Sequence, residues 1–591
     1  MAMKGGSIFE DRKTAFALFL CFMLIIVYAE YLAQDQRIIT PEAQQSQQLD
    51  SQAAPARADQ AAAGSSTSQS TPTLSQTDSD LVDQSTPALE EYQEASSLQI
   101  RSALYNVQLS TLGGRFTNYE LLNYKKELSV EEPLDLVSVR SGDPLPPRLI
   151  SGTRNDDRIV YQVEGISEEF KRPDGSWFVP AGKTLRVQLV GTHSDGTEFR
   201  KKYIFEGSSF LFDIEASLSN APNDGAPLTL EWPAYQAEEN LQDKYDPVVY
   251  SLLKSNDKVE HVPIQEGESD LPTRQEGHWI SLGDKYFMAS LVNRAESEST
   301  GLSVRSEDSV YAIRLEGGVT EGAFKVYVGP KKYSVLEKIG YQLERNVNLG
   351  WFSFLALPLL MLVNLFYGWI GNYGLAIILL TLTIKLFFLP LTSKGFRSMK
   401  QLQDLQPEVK ALRERVKDPT QLNQELMGLY KKRGVNPLGG CLPIVIQIPV
   451  FFGLYNALLY ATELRHSPFA LWVTDLSSPE KLYLAGIGVP VMLLLMGASM
   501  FLQQYFTPSA MEPAQRKIML LFPVIFTVMF MIFPFPSGLV LYWLVNNLIS
   551  IVQQVYLRTE RKATPLMATL LASGLIFALG YVIVQFPLIH Q

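Results

Sequence analysis

The stretch "ILLTLTIKLFFLPL", residues 378–391, is apolar or threonine at every position except Lys385. Such a run reads as part of a membrane span, which needs ~20 mostly apolar residues. A lysine within it either snorkels its ammonium to the headgroups or faces a wet cavity among the helices. Working outward, spans are predicted near 372–391, 438–460, 484–505, 517–533, 537–557 and 567–586. "WFSFLALPLLMLVNLFYGWI" (351–370) is also apolar, but it holds Pro358 and Asn364, has aromatics at both ends and abuts the next run. It reads as an interfacial helix lying along the outer membrane surface, the alternative being one more span.

The 591 residues are too many for one core, so several domains are expected. The formal net charge of −10 hides a split. Residues 14–350 hold 30 Lys+Arg and 49 Asp+Glu, whereas residues 351–591 hold 18 and 10. An acidic half joined to a basic, apolar half argues against nucleic acid as the main partner, because no soluble domain is basic. The two cysteines, Cys21 and Cys441, both lie in apolar runs. The acidic region therefore needs no disulfide and suits either redox compartment. The five histidines are scattered without metal-ligand spacing.

"TAFALFLCFMLIIVYA" (14–29) follows "EDRK" and lacks a clean small-x-small cleavage site, so a retained anchor is expected over a cleaved signal peptide. Residues 34–98 are rich in Gln, Ser, Ala and Thr, with no aromatic between Tyr31 and Tyr92. Such a segment cannot bury enough apolar surface to offset its ordering entropy and reads as a disordered tether. From residue 99 the pattern changes to period two. Tyr105, Val107 and Leu109 alternate with polar neighbours, as do Leu185, Val187 and Leu189, then Tyr311, Ile313 and Leu315, then Phe324, Val326 and Val328. With turn signals such as "TLGG", "RPDGS" and "HSDGT" between them, these runs predict an antiparallel all-β domain, a large sandwich.

Loop charge sets the orientation. With the N-terminus in the cytoplasm, the predicted cytoplasmic loops 1–13, 392–437, 506–517 and 558–566 hold 18 Lys+Arg, against two in the outer loop 461–483. Residues 34–350 then lie outside the cytoplasm, and the extra last span returns the C-terminus to that side. The chain is thus divided into a cytoplasmic end with a first anchor (1–33), a tether (34–98), an outer β-domain (99–335) and a linker with the interfacial helix (336–371). A second span (372–391), a cytoplasmic helical hairpin (392–437), four further core spans (438–557) and a basic turn with an extra C-terminal span (558–591) follow.

Lys385 sits about six residues from the cytoplasmic end of its span, roughly 9 Å deep at 1.5 Å per residue. Thr381 shares its helical face. Gln447 lies at similar depth on the next span, Thr527 mid-span on the fifth, and Asn546 and Asn547 mid-span on the sixth. Each could be interhelical glue. As a set, with one cation and no acidic residue in any span from 372 onward, they favour a hydrated hollow. A proton relay would want Asp, Glu or His in the membrane, which weakens a pump or an ion-coupled transporter. A wet, positive pocket would shorten the dry path of a polar segment and attract acidic residues in a translocating tail. In the loop 392–437, Leu402, Leu405, Val409, Leu412 and Val416 recur at spacings of three and four, "DPT" breaks the pattern, and Leu422, Leu426 and Leu429 resume it. Two antiparallel helices with a net charge of +5 are either a solvated hairpin or a docking arm for an anionic partner, such as ribosomal RNA or lipid headgroups.

"NPLGGCLPIVIQIPVFFGLY" (436–455), "SPFALWVTDLS" (467–477), "PVIFTVMFMIFPFPSGLVLYWLVNNLISIVQQ" (523–554) and "GDKYFMASLV" (283–292) resemble the YidC-type membrane protein insertases of Gram-negative bacteria, in the YidC/Oxa/Alb family. The resemblance covers residues 1 to about 562. It implies a five-span insertase core and a periplasmic supersandwich similar to sugar-mutarotase folds, without that activity. It implies a chaperone that is not an enzyme, inserting and folding inner-membrane proteins alone or with the Sec translocon. The route would be a hydrophilic groove open to cytoplasm and lipid, with no nucleotide and no cofactor. Partners would be nascent inner-membrane proteins, the translocon, membrane lipids, and the ribosome or targeting factors through the hairpin 392–437. The family's groove cation aligns with Lys385 and is usually arginine; the charge is kept, but the bidentate fork is lost. Its substrate-contact faces map to Gln447–Phe451 and Pro523–Met531. The expected groove residues are therefore Lys385, Thr381, Gln447, Phe451, Thr527, Asn546 and Asn547. "PLMATLLASGLIFALGYVIVQFPLI" beyond residue 564 is a departure, either an accessory lipid-facing anchor or a lid or docking helix. Two rivals remain. A small-solute transporter would want internal repeats or intramembrane carboxylates, and neither is seen. An enzyme in the β-domain would need convergent acid and base residues.

Overall fold

A computed structural model of the chain describes residues 95–585, apart from 138–143, 223–224, 236–247, 265–270, 272–273, 296–297, 308–309, 437–441, 508–512, 534 and 559–564. The predicted anchor (1–33) and almost all of the predicted tether lie outside the described residues.

The period-two runs are strands. A five-stranded sheet orders Pro133–Asp135, Arg115–Lys125, Tyr105–Ser110, Ser97–Arg101 and Trp177–Phe178. Fourteen further strands form one antiparallel sheet whose inner run includes Glu321–Pro330, Leu211–Ser219, Glu198–Glu206 and Thr184–Thr192. The alternation holds where one face meets the core: Leu185, Val187 and Leu189 are all fully buried. Phe116 of the smaller sheet meets Tyr203, Phe212 and Trp232 of the larger at 5.6–6.0 Å between ring centroids, so aromatic side chains join the two layers. At Val310–Glu316 both faces are buried, a change that alternation alone does not signal.

The apolar half is helical. A short helix α1 (Tyr333–Ile339) leads to α2 (Ser353–Ile370) and α3 (Tyr373–Asp404). Then come α4 (Gln406–Arg415), α5 (Pro419–Arg433), α6 (Leu442–Leu459), α7 (Val491–Phe506), α8 (Pro513–Met519), α9 (Phe522–Ile532), α10 (Ser537–Arg558) and α11 (Pro565–Val584). By length and composition, three of the described helices are long and apolar enough to cross a membrane: α2, α3 and α10.

Several boundaries differ from the sequence expectation. The helix that holds the predicted second span does not stop at 391. α3 runs 32 residues through Pro390 into the segment read as the hairpin, whose remainder is α4 and α5. Asp418 caps α5 by accepting from the Thr420 and Gln421 amides, which explains the break at "DPT". The predicted span 484–505 begins as a β-hairpin, Leu482–Leu484 with Ile487–Val489, and turns helical only at Val491. An apolar run does not by itself separate strand from helix. The predicted span 517–533 is split between α8 and α9. Pro523 disfavours helical backbone in the residue before it and offers no N–H of its own. The 11 residues of α9 extend ~16 Å, about half a hydrocarbon core.

The β-domain and the helices meet through the loop after α6. Arg465 donates to the carbonyls of Lys125 (2.8 Å) and Lys126 (3.1 Å), and Thr462 donates to Tyr286 O (3.4 Å). Asn456 of α6 donates to Leu349 O (3.0 Å), fixing the entry into α2.

Candidate functional site: a polar seam among apolar helices

α10 carries an unusual side-chain order for an apolar helix, "NNLISIVQQ" (546–554). Asn546, Asn547, Ser550, Gln553 and Gln554 recur at helical spacing and line one broad face. Four of them reach neighbouring helices. Asn547 Nδ2 donates to Ser499 Oγ of α7 (3.0 Å). Gln554 Nε2 donates to Thr507 Oγ1 at the end of α7 (3.1 Å). Gln553 Nε2 donates to Thr569 Oγ1 of α11 (2.9 Å). Ser550 Oγ donates to Asn546 O (2.8 Å) and accepts from Lys385 Nζ of α3 (2.6 Å).

Lys385 is 5% exposed, packed between α3 and α10. Among the described residues no carboxylate lies within ion-pair distance of it, and its three-donor ammonium donates to one neutral hydroxyl. Thr381, one turn earlier, is fully buried and spends its hydroxyl on its own helix, donating to Ile377 O (2.8 Å). Thr527 likewise donates to Pro523 O (2.7 Å). It stands where α7 and α9 approach so closely that a Cβ on Gly497 would collide with its Oγ1. Gln447 is half-buried on α6. One turn on, Phe451 stacks on Trp543 of α10 with centroids 4.7 Å apart, and Phe530 of α9 lies 5.2 Å from the same indole.

The predicted residues thus fall into three groups. Lys385 donates to Ser550, whose hydroxyl rests on the main-chain carbonyl of Asn546, not on its side chain. Phe451 joins α9 through Trp543. Asn547 and Thr527 make their contacts elsewhere, toward α7. Ser499, Ser550, Gln553, Gln554, Thr569 and Trp543 were missed. The "NNLISIVQQ" spacing was a readable signal for three of them, because amides and hydroxyls at i, i+3, i+4 and i+7 in an apolar helix need partners.

Packing among the described helices runs α6–α3–α10–α7–α9, while α6 and α9 have no extended contact and meet on Trp543. Fold and seam together define a multi-pass membrane protein with a large extramembrane β-domain and one buried cation at a helix seam. Comparison with known proteins gives this class a family. Residues 365–564 match the family described as the 60Kd inner membrane protein, and residues 97–362 match the YidC periplasmic domain. The membrane protein insertase YidC of Pelobacter propionicus is 34% identical over 576 residues, covering 93% of this chain and 99% of that protein. That of Syntrophus aciditrophicus is 37% identical over 492 residues, covering 79% and 86%. A solved structure of an active YidC insertase covers 79% of this chain and 93% of its own, at 18% identity and a TM-score of 0.34. The chain belongs to the YidC family of membrane protein insertases, proteins of the inner membrane. The family match ends at residue 564, so α11 lies wholly beyond it.

Proposed function

We propose that this chain inserts and helps fold inner-membrane proteins, alone or with the Sec translocon, by binding and shielding rather than by covalent or nucleotide chemistry. The observation that carries the reading is Lys385, a buried lysine in an apolar bundle with one hydroxyl partner and no carboxylate among the described residues. A buried ammonium so sparsely satisfied is costly unless water or an incoming anion completes its shell. An acidic residue of a translocating tail is such an anion. The core is read as five spans built on α3, α6, α7, α8 with α9, and α10. The poorly packed border between α6 and α9 is the mouth, with Gln447–Phe451 and Pro523–Met531 as client-facing surfaces. Residues 392–437 serve as the cytoplasmic arm toward ribosome or targeting factors. The N-terminus is cytoplasmic, the β-domain periplasmic, α2 interfacial, and α11 brings the C-terminus to the periplasm.

The test is insertion of a short one- or two-span client into liposomes holding the purified protein, without nucleotide or other translocon. Wild type, Lys385→Ala and Lys385→Arg are compared. Insertion by wild type and Arg but not Ala supports the reading. Equal insertion by all three removes the cation from the mechanism.

A further inference from the structure

The chain between Trp472 and α7 makes an excursion that the insertase reading leaves unused. Glu480 is buried, and its carboxylate accepts from the Trp472 indole N–H (2.7 Å) and from the Met492 (2.6 Å) and Leu493 (3.1 Å) amides. The chain leaves this carboxylate, runs through residues 481–490, and returns to place the first turn of α7 on it. The excursion is therefore a finger on a fixed base.

Its two strands pair in strict register, Leu482 with Val489, Tyr483 with Gly488 and Leu484 with Ile487, closing on the two-residue turn Ala485–Gly486. Both turn residues have positive φ, 52° and 81°. That geometry is the hairpin turn usually met by Asn-Gly or Asp-Gly. Alanine is a poor fit for it, because its Cβ crowds the carbonyl in left-handed backbone. What Ala485 retains is an uncharged, apolar tip. Tyr483 and Leu484 are each 54% exposed and Ile487 is 69% exposed. No charged residue occurs between Lys481 and Glu512. Three residues per strand reach ~10 Å beyond the base. The exposed tip leads through Pro490 into α7, whose first turns expose Leu494 and Leu495.

We propose that the hairpin 481–490 dips into the outer leaflet of the bilayer, with Leu484 and Ile487 among the upper acyl chains, Tyr483 at the headgroup level and Lys481 at the aqueous base. Lipid is the occupant that fits. The tip offers no charge or amide to a protein partner, its surface continues the lipid-facing side of a span, and a tyrosine above two aliphatic residues matches the gradient of the interface. The hairpin then anchors the outer end of α7 at a set depth. The proposal rests on α7 being a span.

The experiment labels single cysteines with an environment-sensitive fluorophore in full-length protein whose Cys21 and Cys441 are serine. Labels at Ile487, Lys481 and Leu495 are read in phosphatidylcholine–phosphatidylglycerol vesicles carrying nitroxide near the headgroup end of the acyl chains, and again with aqueous iodide. The expected result is loss of most Ile487 and Leu495 emission to the lipid nitroxide, with Lys481 quenched by iodide. Iodide quenching at Ile487 beside lipid quenching at Leu495 overturns the hairpin proposal and leaves the span. Shielding of Ile487 from both quenchers means docking on protein and overturns it equally. Iodide quenching at Leu495 removes the span itself, and the proposal with it.

Discussion

Lys201 and Lys385 are both buried, and their surroundings differ. Lys201, in the β-domain, is fully buried against Asp156, whose carboxylate is 2.5 Å away. It also donates to the carbonyls of Gly113 (2.7 Å) and Pro147 (3.1 Å). Burial holds its ammonium below the usual lysine range, although Asp156 opposes that. Lys385, in the helices, has the Ser550 hydroxyl. A closed shell marks a cation the fold uses for itself. An open one marks a cation left for something that arrives, and this difference, more than the presence of either charge, carries the functional reading.

The largest expected effect breaks the closed shell. Asp156→Ala strands a buried charge and should destabilise the β-domain by about 3–5 kcal/mol in chemical denaturation, whereas Asp156→Leu with Lys201→Met recovers most of the loss. If the double variant is as unstable as the single, Lys201 is not merely structural. Next, Lys385→Ala should leave the β-domain's unfolding unchanged but cut client insertion by roughly 10–100-fold, the equivalent of one charge-assisted contact. Loss of folding in that variant would place Lys385 in the same class as Lys201. Ser550→Ala tests how open the shell is. With water able to take the hydroxyl's place at the ammonium, insertion should fall by less than about tenfold, since one oxygen acceptor is exchanged for another and the net loss is about 0.5–1.5 kcal/mol. A collapse of expression would mean a dry, single-partner lysine.

The smallest effect is in pH. Burial alone would raise Asp157, but Arg148 and Arg115 outweigh it and hold its carboxyl below the ordinary range. Its contribution to stability is therefore full above the unfolded carboxylate value of about 3.9 and is lost as pH falls through that value toward the lowered folded one. Acid denaturation of Asp157→Asn should show a shallower slope in that window than wild type.

Much of the architecture was legible. The strand runs beginning at Tyr105 and Leu185 bury their alternate residues. Breaks were harder. "YLAGIGV" and "LLFPVIF" are as apolar as true helix interiors, and only backbone pairing at Leu484–Ile487 and the proline at 523 divide them. At the seam, Asn546 and Asn547 were visible as a polar pair, yet they diverge. Side chains one residue apart on a helix point about 100° apart; the Asn547 amide turns to α7, whereas Asn546 meets the Ser550 hydroxyl through its main-chain carbonyl.

From the sequence alone came the acidic β-rich half, the apolar helical half, the family, and a lysine in a run where lysine is costly. These rest on periodicity, composition and local chemistry, which neighbours along the chain express by themselves. Tertiary structure decided that Lys201 meets Asp156 across 45 residues of chain, that Lys385 meets Ser550 across 165, and that Phe451 and Phe530 meet on one indole. Such pairings depend on which helix or strand packs against which, and a charge's partner, unlike its cost, is set by that packing.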